Sequence, residues 1–190
     1  MRMLIQSSVL AVAALVLWSG VSAAQVVETP VAVQATFRGT AHPGCRLSSP
    51  NAPTSDNAQV SALAPGSADI AINQLVDENA TPVGATIVLL VPAVCNQAHT
   101  LKLSSLNRGL LGDTPQPATG PFRSLVPYSV TVNWAGGQQI LQTSDQTMSV
   151  ALGDAATGVV TVTIEIPEGG APLTAGAYKD ELVLELGAAG

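Results

Sequence analysis

The residues best suited to chemistry in this chain fall in two short stretches, His42-Pro43-Gly44-Cys45 and Cys95-Asn96-Gln97-Ala98-His99, which hold both of its cysteines and both of its histidines. Two thiolates and two imidazoles formally satisfy tetrahedral zinc. The same cysteines also suit a disulfide. An even count in an exported chain favours the disulfide, and so does the lack of a close CxxC pair. The expectation is therefore a Cys45–Cys95 bridge and no metal ligand. Closing a loop of about fifty residues would contribute on the order of 4 kcal/mol in the chain-entropy treatment. Two free thiols in denatured, unreduced protein would overturn it.

Catalytic material is otherwise scarce. A bridged cysteine cannot act as a nucleophile, so neither histidine has a thiol to serve. The sequence contains no GxSxG elbow, HExxH pair, phosphate-binding glycine loop or GxGxxG. The adjacent acids Asp77-Glu78 and Asp180-Glu181 do not form an acid/base couple, because neighbours in a strand point to opposite faces and neighbours in a loop are solvated. No catalytic residue and no cofactor is expected. Asp180 stands out for another reason: it interrupts an apolar face, and a carboxylate facing a core needs partners. A structural hydrogen bond from backbone or hydroxyl groups is expected there.

The compartment that would oxidise the cysteines is read from the first residues. MRMLIQSSVLAVAALVLWSGVSAA combines Arg2, a mostly apolar run from Leu4 to Trp18 and the small residues Ser22-Ala23-Ala24, the three parts of a secretory signal peptide. Cleavage is expected after Ala23 or Ala24. The run is short for a spanning helix of roughly 20 residues, and no later segment matches it, so no membrane span is expected after cleavage. Removing residues 1–23 leaves 190 − 23 = 167 residues, the size of one domain. Arg2 leaves as well, so 6 basic residues face 13 acidic ones, or −7, with no basic cluster. That balance argues against a nucleic-acid partner. Aromatic residues make up 3% of the chain, too few for a sugar- or base-stacking platform.

Beyond the signal, apolar residues run with period two. In AQVVETPVAVQATFRGT, Val27, Thr29, Val31, Val33, Ala35 and Phe37 share a face. The alternation returns through Ile70 and Ile72, through Leu101 and Leu103, through Tyr128, Val130, Val132 and Trp134, and through Val160, Val162, Ile164 and Ile166. ATIVLLVPAVC is nearly continuous and reads as a strand buried on both faces or bent near Pro92. Residues 42–59, dense in Pro, Ser and Asn, read as turn and loop, and Gly136-Gly137 as a hairpin turn. The fold class is all-β, an antiparallel β-sandwich, with Trp134 and Tyr128 in or beside the core and their polar atoms satisfied. In the closing AGAYKDELVLELGAAG, Tyr178, Leu182, Leu184 and Leu186 fall at even positions, as in one half-buried final strand. An apolar edge strand with nothing beside it is an aggregation hazard.

Gly176-Ala177-Tyr178-Lys179-Asp180-Glu181-Leu182-Val183-Leu184 resembles the GxYxDxLxV ending of the spore coat protein U domain, the family that includes pilin subunits of archaic chaperone/usher systems. The signal peptide, Cys45 in a turn-rich segment, Cys95 at a strand end and Val126-Pro127-Tyr128-Ser129-Val130 are similar to that family too. The resemblance implies an immunoglobulin-like sandwich over residues 37–190 that lacks its last strand, leaving an apolar groove bordered by Tyr178, Leu182, Leu184 and Leu186. It also implies a periplasmic chaperone that fills the groove, an usher, and a neighbouring subunit whose N-terminal extension later replaces the chaperone by strand addition. Residues 24–36 would be that extension, with Val27, Thr29, Val31, Val33 and Ala35 as donor positions. The alternative is that they form the first strand of their own domain. The implied function is a non-catalytic subunit of a pilus (fimbria) or surface coat, exported through the periplasm to the cell surface. Against it stands a self-complete secreted sandwich that binds a ligand or surface partner as a monomer.

Overall fold

The computed structural model describes residues 36–113 and 120–189, apart from the side chains of 62–64. The signal segment and the donor positions Val27, Thr29, Val31, Val33 and Ala35 lie outside the described residues. The chain divides after Gly39, and residues 36–39, including Phe37, belong to no strand.

From Thr40 onward the chain is built of strands: β1 (Cys45–Leu47), β2 (Asn51–Asp56), β3 (Ala58–Ala64), β4 (Ser67–Ile72), β5 (Ala85–Cys95), β6 (His99–Ser105), β7 (Leu110–Gly112), β8 (Leu125–Val126), β9 (Ser129–Trp134), β10 (Gly137–Gln142), β11 (Thr147–Leu152), β12 (Ala156–Ile166), β13 (Tyr178–Lys179) and β14 (Leu182–Ala188). A short 3-10 turn, Thr143–Asp145, joins β10 to β11. The strand ladders are antiparallel, so the all-β, sandwich-like class expected from the alternation is the one observed.

One sheet runs β1-β5-β12-β9-β10, with β2 also on β5; a second runs β11-β6-β14; β13-β7-β8 and the β3-β4 hairpin complete the set. A single apolar cluster joins Ile87 and Val91 of β5, Val160 and Val162 of β12 and Val130 of β9 to Leu101 and Leu103 of β6. These are the inward positions of the period-two runs, as burial on one face requires. Trp134 and Tyr128 are each 6% exposed within that cluster.

Three expectations are corrected. Residues 42–59 are not all loop: β1 and β2 lie there, pairing with the two ends of β5. Their composition hides them because β5 supplies the pairing and most of their side chains stay in solvent. Pro53 sits in the bulge between Asn51 and Thr54, where a strand proline is tolerated. Pro92 is accommodated without a bulge, in register opposite Val159. Its carbonyl accepts from the Ser48 N–H (2.8 Å), so its missing N–H faces the same side, in the interruption between β1 and β2.

The β9–β10 turn is Ala135-Gly136 rather than Gly136-Gly137, since Gly137 pairs with Trp134. Both turn residues have positive φ, 50° and 78°, as a two-residue primed hairpin requires. Leu141, 2% exposed opposite Val130, sets this register, because a one-residue slip would turn it to solvent. Finally, the closing segment is two strands. Tyr178 pairs with Gly112 in the small sheet, whereas Leu182, Leu184 and Leu186 pair with β6, so Tyr178 does not share their strand.

Candidate functional site

Cys45 and Cys95 form a disulfide and face each other directly across the β1–β5 pair. Asn96 fastens the same end: its Oδ1 accepts from Gly44 N–H (2.8 Å) and its Nδ2 donates to the His42 carbonyl (2.7 Å). The bridge consumes the thiolates of the zinc alternative, and the two histidines part. His99 is fully buried; its Nε2 accepts from Trp134 Nε1–H (2.8 Å), and its Nδ1 lies 3.0 Å from the Gln97 carbonyl. An indole N–H only donates and a carbonyl only accepts, so the ring carries its proton on Nδ1.

Asp180 sits in the break between β13 and β14 and gathers donors from distant segments. One carboxylate oxygen accepts from Ser105 Oγ (2.6 Å) and Tyr128 Oη (2.7 Å), the other from the Asn107 backbone N–H (2.8 Å). Charge-assisted bonds of this length are the strong kind. They tie the approach to β14 to the end of β6 and to Tyr128, the residue just before β9. Its neighbour Glu181 is exposed and contributes its backbone carbonyl to Leu106 N–H. The other acidic pair is also structural, since Asp77 accepts from the backbone of Asn79 and Thr81, and the Thr81 bond is the main cause holding its carboxyl below the usual range.

Burial first, and then the Asp180 carboxylate, push the Tyr128 phenol far above its ordinary value. The folded chain therefore keeps the phenol neutral where the unfolded chain ionises it. This contribution to stability is complete below about pH 10 and is lost as pH rises beyond it toward the raised folded-state value. Urea titrations between pH 8 and 11 should show stability falling above pH 10, with a shallower fall in Tyr128→Phe; parallel curves would discount the effect.

β14 is the outer strand of the second sheet. Glu181 O accepts from Leu106 N–H, and Ala189 N–H donates to Ala98 O, so the odd-numbered backbone groups face β6. By alternation, Leu182, Leu184 and Leu186 direct their N–H and C=O groups at the opposite edge. No strand pairs with that edge among the described residues. The same three leucines point their side chains at the core but are only partly buried, whereas Leu101 and Leu103, one strand inward, are 1% and 0% exposed. β1, with Leu47 turned inward, passes beside β14 with Cα atoms within 8 Å.

The structure thus places Leu182, Leu184 and Leu186 in one row and Asp180 at its head. Tyr178 stands apart: its Oη donates to the Thr174 carbonyl (2.8 Å), and its ring packs where a Gly112 side chain would be, 3.3 Å from that Cβ position. Sequence reasoning missed Ser105 and Asn107, the donors beyond Tyr128, and Leu47 on the neighbouring strand. The polar ending Ser104-Ser105 of an otherwise apolar alternation was the available signal for Ser105. Comparison with family models, curated proteins and solved structures finds no match to this chain.

Proposed function

We propose that this protein is an exported, non-catalytic structural subunit that assembles into a pilus or surface coat by donor-strand complementation, its immunoglobulin-like sandwich lacking one strand. The observation that carries the reading is the unpaired edge of β14, beside which β1 passes without forming a ladder. Edge strands are normally blunted by proline, lysine, a bulge or a covering segment. β14 carries no proline or lysine and pairs with β6 in unbroken register, and β1 beside it leaves three leucines only half-covered in a row. A strand laid along this edge would meet backbone donors and acceptors and would place alternate side chains over Leu182, Leu184 and Leu186. The N-terminal stretch with Val27, Thr29, Val31, Val33 and Ala35 has the matching alternation. A periplasmic chaperone would hold the edge first, an usher would pass the subunit on, and a neighbouring subunit's stretch would replace the chaperone at the cell surface.

Size-exclusion chromatography with light scattering on the protein from residue 24, beside a form starting at residue 37, tests the reading. Ladders or SDS-resistant multimers of the longer form, with an unstable monomeric shorter form, are expected. A stable monomer that unfolds on truncation would instead assign the stretch to its own sandwich, as in a self-complete secreted binding domain.

A further inference from the structure

The two outer faces of the sandwich are chemically unlike. On the second sheet, Lys102 and Glu185 sit opposite each other and form an ion pair at 3.3 Å. On the first sheet, the cross-strand registers bring Val88, Leu90 and Val94 of β5 to the same outward face as Val159 of β12 and Ile140 of β10, with threonines and amides between them. Val94 is 44%, Val159 48% and Ile140 58% exposed. Among the described residues, the centre of this face carries no charge. Charge appears at its two ends: Arg46 stands opposite Val94 at one end, and Asp56 opposite Thr86 at the other, with Glu165 beside Thr86. A face whose centre is uncharged, with exposed Val159 and Ile140 standing among threonines and amides and its charges confined to the two ends, is suited to association.

We propose that this face binds a second copy of the chain, the two sheets stacking face to face about a two-fold axis perpendicular to the strands. Such an axis reverses strand direction and keeps each strand over its own counterpart. Arg46 and Asp56 both lie on the flank beside β5, at opposite ends of Thr86–Val94. The reversal therefore sets Arg46 of each copy over Asp56 of the other, giving two complementary charge pairs. An axis parallel to the strands would instead put Arg46 over the β10 flank, which has no acid to meet it. The chain carries a net charge of −6, so an uncharged face is where two copies can approach without repulsion. Five strands about 4.8 Å apart, over a length of about 26 Å, present roughly 600 Å² per copy, or roughly 1,200 Å² for the pair. That is the lower end of specific interfaces, which fits a reversible dimer.

This pairing is independent of strand exchange and separable from it, because strand-exchanged ladders resist SDS and face-to-face pairs do not. Sedimentation equilibrium of the mature protein should reveal a doubling of mass, of monomer or of SDS-resistant multimer alike, at about 100 μM. Arg46→Asp and Asp56→Arg alone should each weaken it at least about tenfold, the combined Arg46→Asp/Asp56→Arg variant should restore it, and Val159→Lys should abolish it with thermal unfolding unchanged. Absence of doubling in the wild type, or doubling that none of these substitutions alters, would overturn the proposal.

Discussion

A Cys45→Ala/Cys95→Ala variant is expected to lose about 4 kcal/mol of stability, close to the whole margin of many domains. The bridge spans 50 residues and holds β1, which has three residues and, apart from the bridged Cys45, turns only Leu47 to the core. Without it, what remains for β1 is a short ladder on β5 and the Asn96 bonds, which are exposed. For a domain of this size, with a urea m-value of about 2 kcal/mol/M, the midpoint should fall by about 2 M. Reduction of the wild type should reproduce the shift. A fall below about 0.5 M in both experiments would show that β1 holds to β5 unaided.

The second large effect is expected at Asp180. Asp180→Ala removes the acceptor of two hydroxyls and one backbone N–H, and Ser105 and Tyr128 are nearly sealed from water. Bonds to a charged acceptor are worth about 1.5–3 kcal/mol each and are not additive within one cluster, so a total of about 3–4 kcal/mol is expected. Asp180→Asn preserves the shape but exchanges one carboxylate oxygen for an N–H₂ donor, and should cost about half as much. Glu181→Ala, one residue on, keeps the backbone carbonyl that Leu106 uses and should change stability by less than about 0.5 kcal/mol. Unchanged folding yield in Asp180→Asn would argue against the cluster as a structural hub.

What could be read from the sequence follows from where each signal resides. β6, β9, β12 and the leucines of β14 alternate because one face of each is buried, and that periodicity is written in the chain itself. β1 and β2 are written elsewhere, in the backbone of β5, and their own residues look like loop. The apparent continuity from Tyr178 to Leu186 concealed a change of sheet, since alternation records the side each residue faces and not the strand it faces. At the candidate site, the cysteine pair and the anomaly of Asp180 were legible, the latter because a carboxylate breaks an apolar face. Its donors were not, because Tyr128, Ser105 and Asn107 lie 52, 75 and 73 residues away. Similarly, burial of Trp134 was legible, whereas His99 as its acceptor was not.

β6 and β14 pair across a long stretch of sequence, Leu182 with Ser105 and Ala188 with His99, and that distance bears on the order of folding. β6 is made well before its second neighbour, β14, and the acceptor for its Ser105 hydroxyl follows only 75 residues later. Contacts so distant in sequence close slowly, and the apolar strands made before them remain unshielded meanwhile. A chain that stops short of Asp180 has no route to the native sheet. Residues 180–188 thus act as a completeness check: until they are in place β6 keeps one edge unpaired, and products truncated before Asp180 stay open to proteolysis.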